Sequence, residues 1–463
     1  MLRVRASVLL AVLATVCACT PIREIRTDIP DPAQAATRGS GPILTAPTQL
    51  PSECAVGSRT KGENNHVFED YGSFVLAFAE FDDQGWSYDG DRQLAAIRAR
   101  LESELTDPAY TDSDFVVVLF VHGWHHNAHD NDCNVQEARQ MLRIASEQFD
   151  QAIKDGHFKR KRRVFGIYVG WRGESVDALG LRYTTVIDRR DTAEKVAKGS
   201  VRQLLADLHE KQLIAQAAVE TVRTNAADRA ARMYTTVVGH SFGGLIVFNA
   251  LSQQLTSDLT AIADSVCTPG GVAGVTLPWP DLVVLINPAF EATRFEPLNR
   301  LADRAAGCGY KPTHPLLMVI TADNDHWTGG VFTAGREVTT LFEGYDESTA
   351  QSRAQERNSN LRAIGFVDRY RTHRLCLRTV GTNTFATLAP TLTSTSTADP
   401  RTVATRAVWV AGAPPEIIDG HNGFLYARKR GTVPEPYLLY WLVATHVDPT
   451  NAVSAANSCG TWP

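Results

Sequence analysis

The sequence predicts an α/β fold: a mostly parallel central sheet flanked by helices, with insertions over the active-site edge. Three observations predict it. Short apolar runs of strand character alternate along the chain with segments whose apolar residues recur at helical spacing. One run, residues 115–121 (FVVVLFV), is apolar at every position, as befits a strand covered on both faces. Another, residues 234–238, turns through Gly239-His240-Ser241-Phe242-Gly243-Gly244 into a helical segment, so a strand and a helix share one tight glycine turn.

The elements follow in order. Strands are expected at residues 73–81, 115–121, 164–169, 235–238, 282–286, 316–321 and 407–410. After the second, His122-Gly123-Trp124-His125-His126-Asn127 forms a loop. A helix then opens at Asn134, with Glu137 three residues on, and carries Val135, Ala138, Leu142, Ala145 and Phe149 on one face. A further helix is expected at residues 191–211. From Gly244 onward Leu245, Phe248, Leu251 and Leu255 share a helical face, and a last helix is expected at residues 436–444. Right-handed crossovers bring the strand ends to one edge of such a sheet. Three segments read as insertions over that edge: residues 174–190, 256–280 and 330–406, the last holding the polar run TLTSTSTAD.

The chemistry concentrates at those strand ends. Ser241 sits in a Gly-x-Ser-x-Gly turn, where Gly239 and Gly243 permit the sharp bend and His240 precedes the hydroxyl. A serine needs a base to take its proton and a third group to orient that base. Two carboxylates, Asp323 and Asp325, follow the strand at 316–321. Glu291, after Asn287-Pro288, lies one strand earlier. His421 stands in the Gly-flanked loop after the strand at 407–410 and suits the base. His122 and Gly123 end the strand before the first of the helices named above, a usual place for an oxyanion hole. Its two donors are expected to be the backbone N–H groups of Trp124 and Phe242.

EFDDQGW (from Glu80), VHGWHHNA (from Val121), YVGWRG (from Tyr168), GHSFGG (from Gly239), ITADND (from Ile320) and IIDGH (from Ile417) together cover about residues 70 to 447. In these features the chain resembles the α/β-hydrolase superfamily, and within it bacterial lipoprotein-type serine hydrolases or esterases of undefined substrate. The chain order Ser, Asp, His matches that superfamily. The resemblance implies an α/β-hydrolase fold, and it places the acid at the last position of ITADND, which is Asp325.

Within 463 residues one catalytic domain is expected, at residues 70–450, because the serine, acid and histidine interleave with a single strand series; residues 451–463 form a tail. Arg3 and Arg5 precede an apolar stretch from Ala6 to Ala18 that is too short to span a bilayer. With Cys19 it resembles a bacterial lipoprotein signal, residues 1–18, cleaved before an acylated Cys19. Residues 19–69 then read as a tether. The implied address is the cell envelope, at the outer membrane, with the membrane as partner through the lipid. Loss of residues 1–18 removes two arginines and moves the formal charge from −5 to −7, which argues against a nucleic-acid partner and gives no sign of a dedicated anionic-substrate site. The basic run Lys159 to Arg163 reads as a solvated loop. Past Cys19 six cysteines suit an exported chain with up to three disulfides, and Cys267 with Cys308 is a reasonable pair. No metal and no cofactor are expected.

The leading function is therefore hydrolysis of small carboxylic esters of short or medium acyl chain through an acyl-enzyme. Amide cleavage and acyl transfer would use the same residues, and a non-catalytic binding protein of the same fold is the competing class.

Overall fold

A computed structural model describes residues 23–37, 43–45, 64–156, 158–174, 185–221, 231–268, 278–312, 314–345, 348–380, 383–390 and 406–423. Residues 1–22, with Cys19, and residues 424–463, with the helix expected at 436–444, lie outside them, as do Cys54, Cys459 and the run TLTSTSTAD.

Among the described residues ten strands form one sheet: β1 (Phe68–Asp70), β2 (Phe74–Phe81), β3 (Ser113–Val121), β4 (Lys161–Trp171), β5 (Met233–His240), β6 (Leu282–Ile286), β7 (Leu317–Ala322), β8 (His373–Val380), β9 (Asn383–Pro390) and β10 (Val408–Ala413). Their spatial order is β1-β2-β4-β3-β5-β6-β7-β10-β8-β9. Every pairing from β2 to β8 is parallel, and only the outermost strands, β1 and β9, run antiparallel to their neighbours. This is the α/β architecture that the alternating runs predict.

Besides a short helix at Pro32–Ala35, the α-helices among the described residues are α1 (Arg92–Thr106), α2 (Cys133–Lys154), α3 (Val186–Lys198), α4 (Val201–Thr221), α5 (Phe242–Cys267), α6 (Glu296–Gly307), α7 (Phe332–Thr339) and α8 (Ala350–Leu361). Strand side chains alternate between two apolar layers. Phe115, Val117, Leu119 and Val121 face the layer built with α1, α3, α4, α5 and α6. Val116, Val118 and Phe120 face the layer filled by Val135, Ala138, Leu142 and Phe149 of α2. Both faces of β3 are thus dry, which is why its sequence does not alternate.

Several boundaries differ from the sequence reading, each for a local reason. Helix α2 is capped by Asp132, whose side chain accepts from the Asn134 N–H at 2.8 Å, so Asn134 lies inside the first turn instead of before it. The helix expected at 191–211 is two, broken at Gly199-Ser200. A Cβ on Gly199 would meet the Gly85 carbonyl oxygen at 2.0 Å, and the Ser200 N–H donates to that carbonyl. Much of the insertion expected at 256–280 is the second half of α5. The segment 330–406 is not simply laid over the edge. It supplies α7, α8 and the strands β8 and β9, which extend the sheet beyond β10.

The basic run is likewise not a solvated loop. Arg160 and Arg162 both bond Asp114, and Arg163 bonds Glu104 at 2.9 Å as β4 begins. Residues within the expected tether also pack on the domain. Arg26 is fully buried, pairs with Glu69 at 2.9 Å and lies 3.7 Å over the Phe78 ring. Cys267 and Cys308 form the expected disulfide, joining the end of α5 to the end of α6 with a Cα separation of 5.1 Å. Cys133 and Cys376 are disulfide-bonded too.

Candidate active site

Strand β5 delivers Ser241 directly into the first turn of α5. The serine has φ 55° and ψ −119°, a left-handed backbone that a non-glycine residue adopts only under constraint, at roughly 1–3 kcal/mol. Neighbouring bonds hold it there. Its N–H donates to the Ile286 carbonyl at 3.0 Å, and its carbonyl accepts from Ala289 N–H at 3.2 Å. Gly243 must lack a side chain, because a Cβ would lie 2.1 Å from the Val121 carbonyl oxygen.

The loop after β3 comes equally close from the other side. A Cβ on Gly123 would sit 2.9 Å from the Ser241 Cβ, so glycine is what lets this loop back onto the serine. The two N–H groups expected as oxyanion donors belong to this geometry: Trp124 follows Gly123, and Phe242 opens α5, where helical N–H groups lack intrahelical acceptors.

Three of the residues singled out from the sequence meet in one hydrogen-bonded chain. The Ser241 hydroxyl lies 2.8 Å from His421 Nε2, and His421 Nδ1 lies 2.8 Å from Asp325 Oδ2. A carboxylate only accepts, so the ring proton sits on Nδ1 and Nε2 is left to accept from the serine. The Asp325 carboxylate is buried. Its Oδ1 accepts the N–H groups of Trp327 at 2.9 Å and Thr328 at 3.2 Å, and its Oδ2 also accepts the Thr328 hydroxyl. Burial alone pushes this carboxyl up. The bond and charge of His421 and the Thr328 donors outweigh that, and hold it below the usual carboxylate range.

The other two acids have different partners. Asp323 pairs with Arg371 at 3.5 Å and Arg374 at 2.8 Å. Glu291 is buried among Arg190, Arg294 at 2.8 Å and Arg336 at 2.9 Å. Three histidines of the loop after β3 have partners of their own. His122 is fully buried, donates from Nδ1 to the Gly123 carbonyl at 2.8 Å and accepts the Trp171 N–H on Nε2 at 3.0 Å. Burial pushes it down to about 4, so it is a neutral strut of the loop. His125 bonds Glu174 at 3.1 Å and His126 bonds Asp132 at 3.0 Å. Among the described residues no group of three or more His, Cys, Asp or Glu side chains could hold a metal ion.

Sequence reasoning missed the residues that fix the His421 loop. Asn287, itself at φ 44°, donates to the carbonyls of His421 at 2.8 Å and Gly420 at 3.2 Å, while its Oδ1 accepts the Ala322 N–H. Asn324 accepts the Gly420 N–H at 2.8 Å, and His240 Nε2 donates to the His421 carbonyl at 2.9 Å. The one sequence signal was the position of Asn287 at the end of a strand, before a proline.

A cavity of about 380 Å³ opens over Ser241 and His421. Trp124, Phe242, Trp327, Val331 and Phe332 give it apolar walls. Val331, Val338, Leu341 and Phe342, on α7 and the residues flanking it, are exposed.

No protein-family model matches the chain, and no curated protein sequence matches it. Among solved structures it is similar to phospholipase PlaB from Legionella pneumophila in complex with thio-NAD, at 12% identity over 72% of this chain and 62% of that chain, with a TM-score of 0.24. It is also similar to another structure of that phospholipase, at 12% identity over 60% of this chain and 51% of that one, with a TM-score of 0.21. The chain thus spans less than two thirds of the length of either.

Proposed function

We propose that this protein is a serine hydrolase of carboxylic esters. The observation that carries the reading is the unbroken chain from Ser241 Oγ through His421 to Asp325, with both links at 2.8 Å. Ser241 Oγ attacks the acyl carbon and its proton passes to His421 Nε2. Asp325 keeps the Nδ1 proton in place and stabilises the imidazolium. The developing oxyanion is received by the N–H groups of Phe242 and Trp124. The tetrahedral intermediate then collapses, the C–O bond breaks, and the alcohol leaves with the proton from His421. Water, activated by the same imidazole, attacks the acyl-enzyme and frees the acid. The apolar cavity walls suit the hydrocarbon part of an acyl group, and a volume of about 380 Å³ suits one of short or medium length.

Two features support a nucleophile over a mere turn serine: the left-handed backbone at Ser241 and the loop at Gly123 held against it. The test is covalent. A fluorophosphonate probe should label the wild-type protein on Ser241, and Ser241→Ala should lose both the label and about 10⁴-fold of p-nitrophenyl acetate turnover while melting as wild type does. An unlabelled wild-type protein would leave only the binding-protein class.

A further inference from the structure

The cavity above Ser241 has an asymmetry of charge that the whole-chain balance hides. Among the described residues lining it there is no aspartate or glutamate, but there are two guanidiniums, Arg190 from α3 and Arg336 from α7. The nearby carboxylates are already committed to histidines: Asp325 to His421, Asp132 to His126 and Glu174 to His125. The two arginines share one buried carboxylate, Glu291. That carboxylate also pairs with Arg294, whose second partner is Glu194 at 2.7 Å. A further acid, Glu343, is half-exposed and 3.8 Å from Arg336. Arg190 Nε is buried and bonds no described group. Burial pushes the Glu291 carboxyl up, but the three guanidiniums reverse this and keep it ionised, so it counts as one negative charge against them. Glu194 and Glu343 lie outside the cavity lining, so at the cavity the two guanidiniums face only the one carboxylate they share, and one positive charge is in excess there.

Both arginines also line a second cleft, of about 630 Å³, which includes neither Ser241 nor His421. They stand between the reacting groups and that outer cleft. A planar guanidinium matches the two oxygens of a carboxylate or phosphate, and apolar walls strengthen the attraction by lowering the local dielectric.

We propose that Arg190 and Arg336 receive an anionic group of the substrate, a carboxylate or a phosphate. The ester this site cleaves then carries such a group at a distance from the scissile bond. The inference rests on the hydrolase reading for its chemistry but not for anion binding, and the two separate in the test.

Wild-type protein is assayed on p-nitrophenyl esters of pentanoic, glutaric and phosphonopropanoic acids, which are neutral, carboxylate-bearing and phosphonate-bearing at similar length. The expected result is a kcat/KM for one anionic ester at least about tenfold above the pentanoate, carried by KM. Arg190→Gln and Arg336→Gln should each lower that ratio by about tenfold, and Arg336→Lys should restore part of it. Which anionic ester leads tells carboxylate from phosphate.

Calorimetry on Ser241→Ala protein with glutarate, methylphosphonate and glutaramide gives a reading that needs no turnover and leaves both arginines intact. Either anion should bind, more weakly at high salt, and glutaramide should not. A wild-type preference for the pentanoate, a ratio unchanged in folded arginine variants, or an absence of anion binding to Ser241→Ala would each overturn the proposal. Anion binding without hydrolysis of any ester and without probe labelling would instead overturn the hydrolase reading alone.

Discussion

Two aspartates two positions apart follow β7, and their surroundings give them different partners. Asp325 is sealed from solvent and bonds His421 and the first turn after the strand; Asp323 lies between Arg371 and Arg374. Asp325→Asn should lower kcat by about 10⁴-fold, because an amide cannot hold the ring proton on Nδ1, while Asp323→Asn should stay near wild type. Steady-state kinetics on both variants checks this, and the reverse ranking would move the orienting role to Asp323. Buried histidines set a second residue-level behaviour. His122 is pushed down to about 4, and burial also lowers His240 well below its ordinary value and His373 to about 3. Each binds a proton less readily folded than unfolded. The stability they contribute is complete above the unfolded imidazole value and is lost as pH falls toward the folded one. His126 works with the opposite sign, since Asp132 overcomes its burial and raises it. From His122 alone, stability should fall by about 2 kcal/mol between pH ~7 and pH ~5. Glu24, raised by burial to about 7, acts with the opposite sign over the same window. The His122 contribution is therefore read by comparing melts of wild type and His122→Asn. The wild-type midpoint should drop more toward acid than the variant's, and an equal or smaller drop would contradict the neutral assignment.

At the scale of elements, the segments singled out from the sequence divide into those that carry the proposed triad and those that support it. GHSFGG and IIDGH bring Ser241 and His421 together, whereas Asp83 of EFDDQGW binds Arg172 of YVGWRG and Arg189 of α3. Those ion pairs tie the loop after β2 to the end of β4 and to α3, which lines the cavity. The Cys267–Cys308 disulfide plays a corresponding part on the other side, joining α5, which starts at the serine, to α6. It closes a loop of 41 residues. Cys267→Ser with Cys308→Ser should lower unfolding stability by about 2–4 kcal/mol, read as a lower denaturant midpoint with a slope no smaller than wild type, since the unbridged unfolded chain exposes more surface. Since the bridge lies at the far end of α5, probe labelling of Ser241 should persist in the double variant.

Across the whole molecule, the sheet serves as a platform whose strand ends converge on one edge. Ser241 follows β5, Asp325 follows β7, His421 follows β10 and Gly123 follows β3. No helix among the described residues is long and apolar enough to cross a membrane. Attachment through Cys19, which lies outside those residues, remains our proposal from the lipoprotein-like signal. Expressed at full length in a Gram-negative host, the protein should fractionate with outer membranes and enter detergent, and Cys19→Ala should move it to the soluble periplasmic fraction. An unchanged membrane fraction in Cys19→Ala would exclude acylation as the anchor.

How much of this was legible in the sequence follows from which interactions are local. Seven of the ten strands were visible because each carries its own apolar run, and Ser241 was visible because its turn needs glycines at fixed neighbouring positions. The strands β1, β8 and β9 were not: β1 has three residues, and in His373 to Val380 and Asn383 to Pro390 the apolar residues are broken up by Arg, Thr and Asn, so no continuous apolar run marks a strand. Residue types in chain order offered Ser241, His421 and a choice of acids. Only the fold selects among Asp323, Asp325 and Glu291 by contact, because the arginines that claim Asp323 and Glu291 come from distant elements. The same holds for Asn287, whose hold on the His421 carbonyl spans 134 positions of chain. It holds too for the arginine wall of the cavity, where a chain of net charge −5 presents a locally positive surface. Composition averages over the chain, whereas a charge acts over roughly 10 Å of space, and which side chains share that distance is settled by tertiary packing.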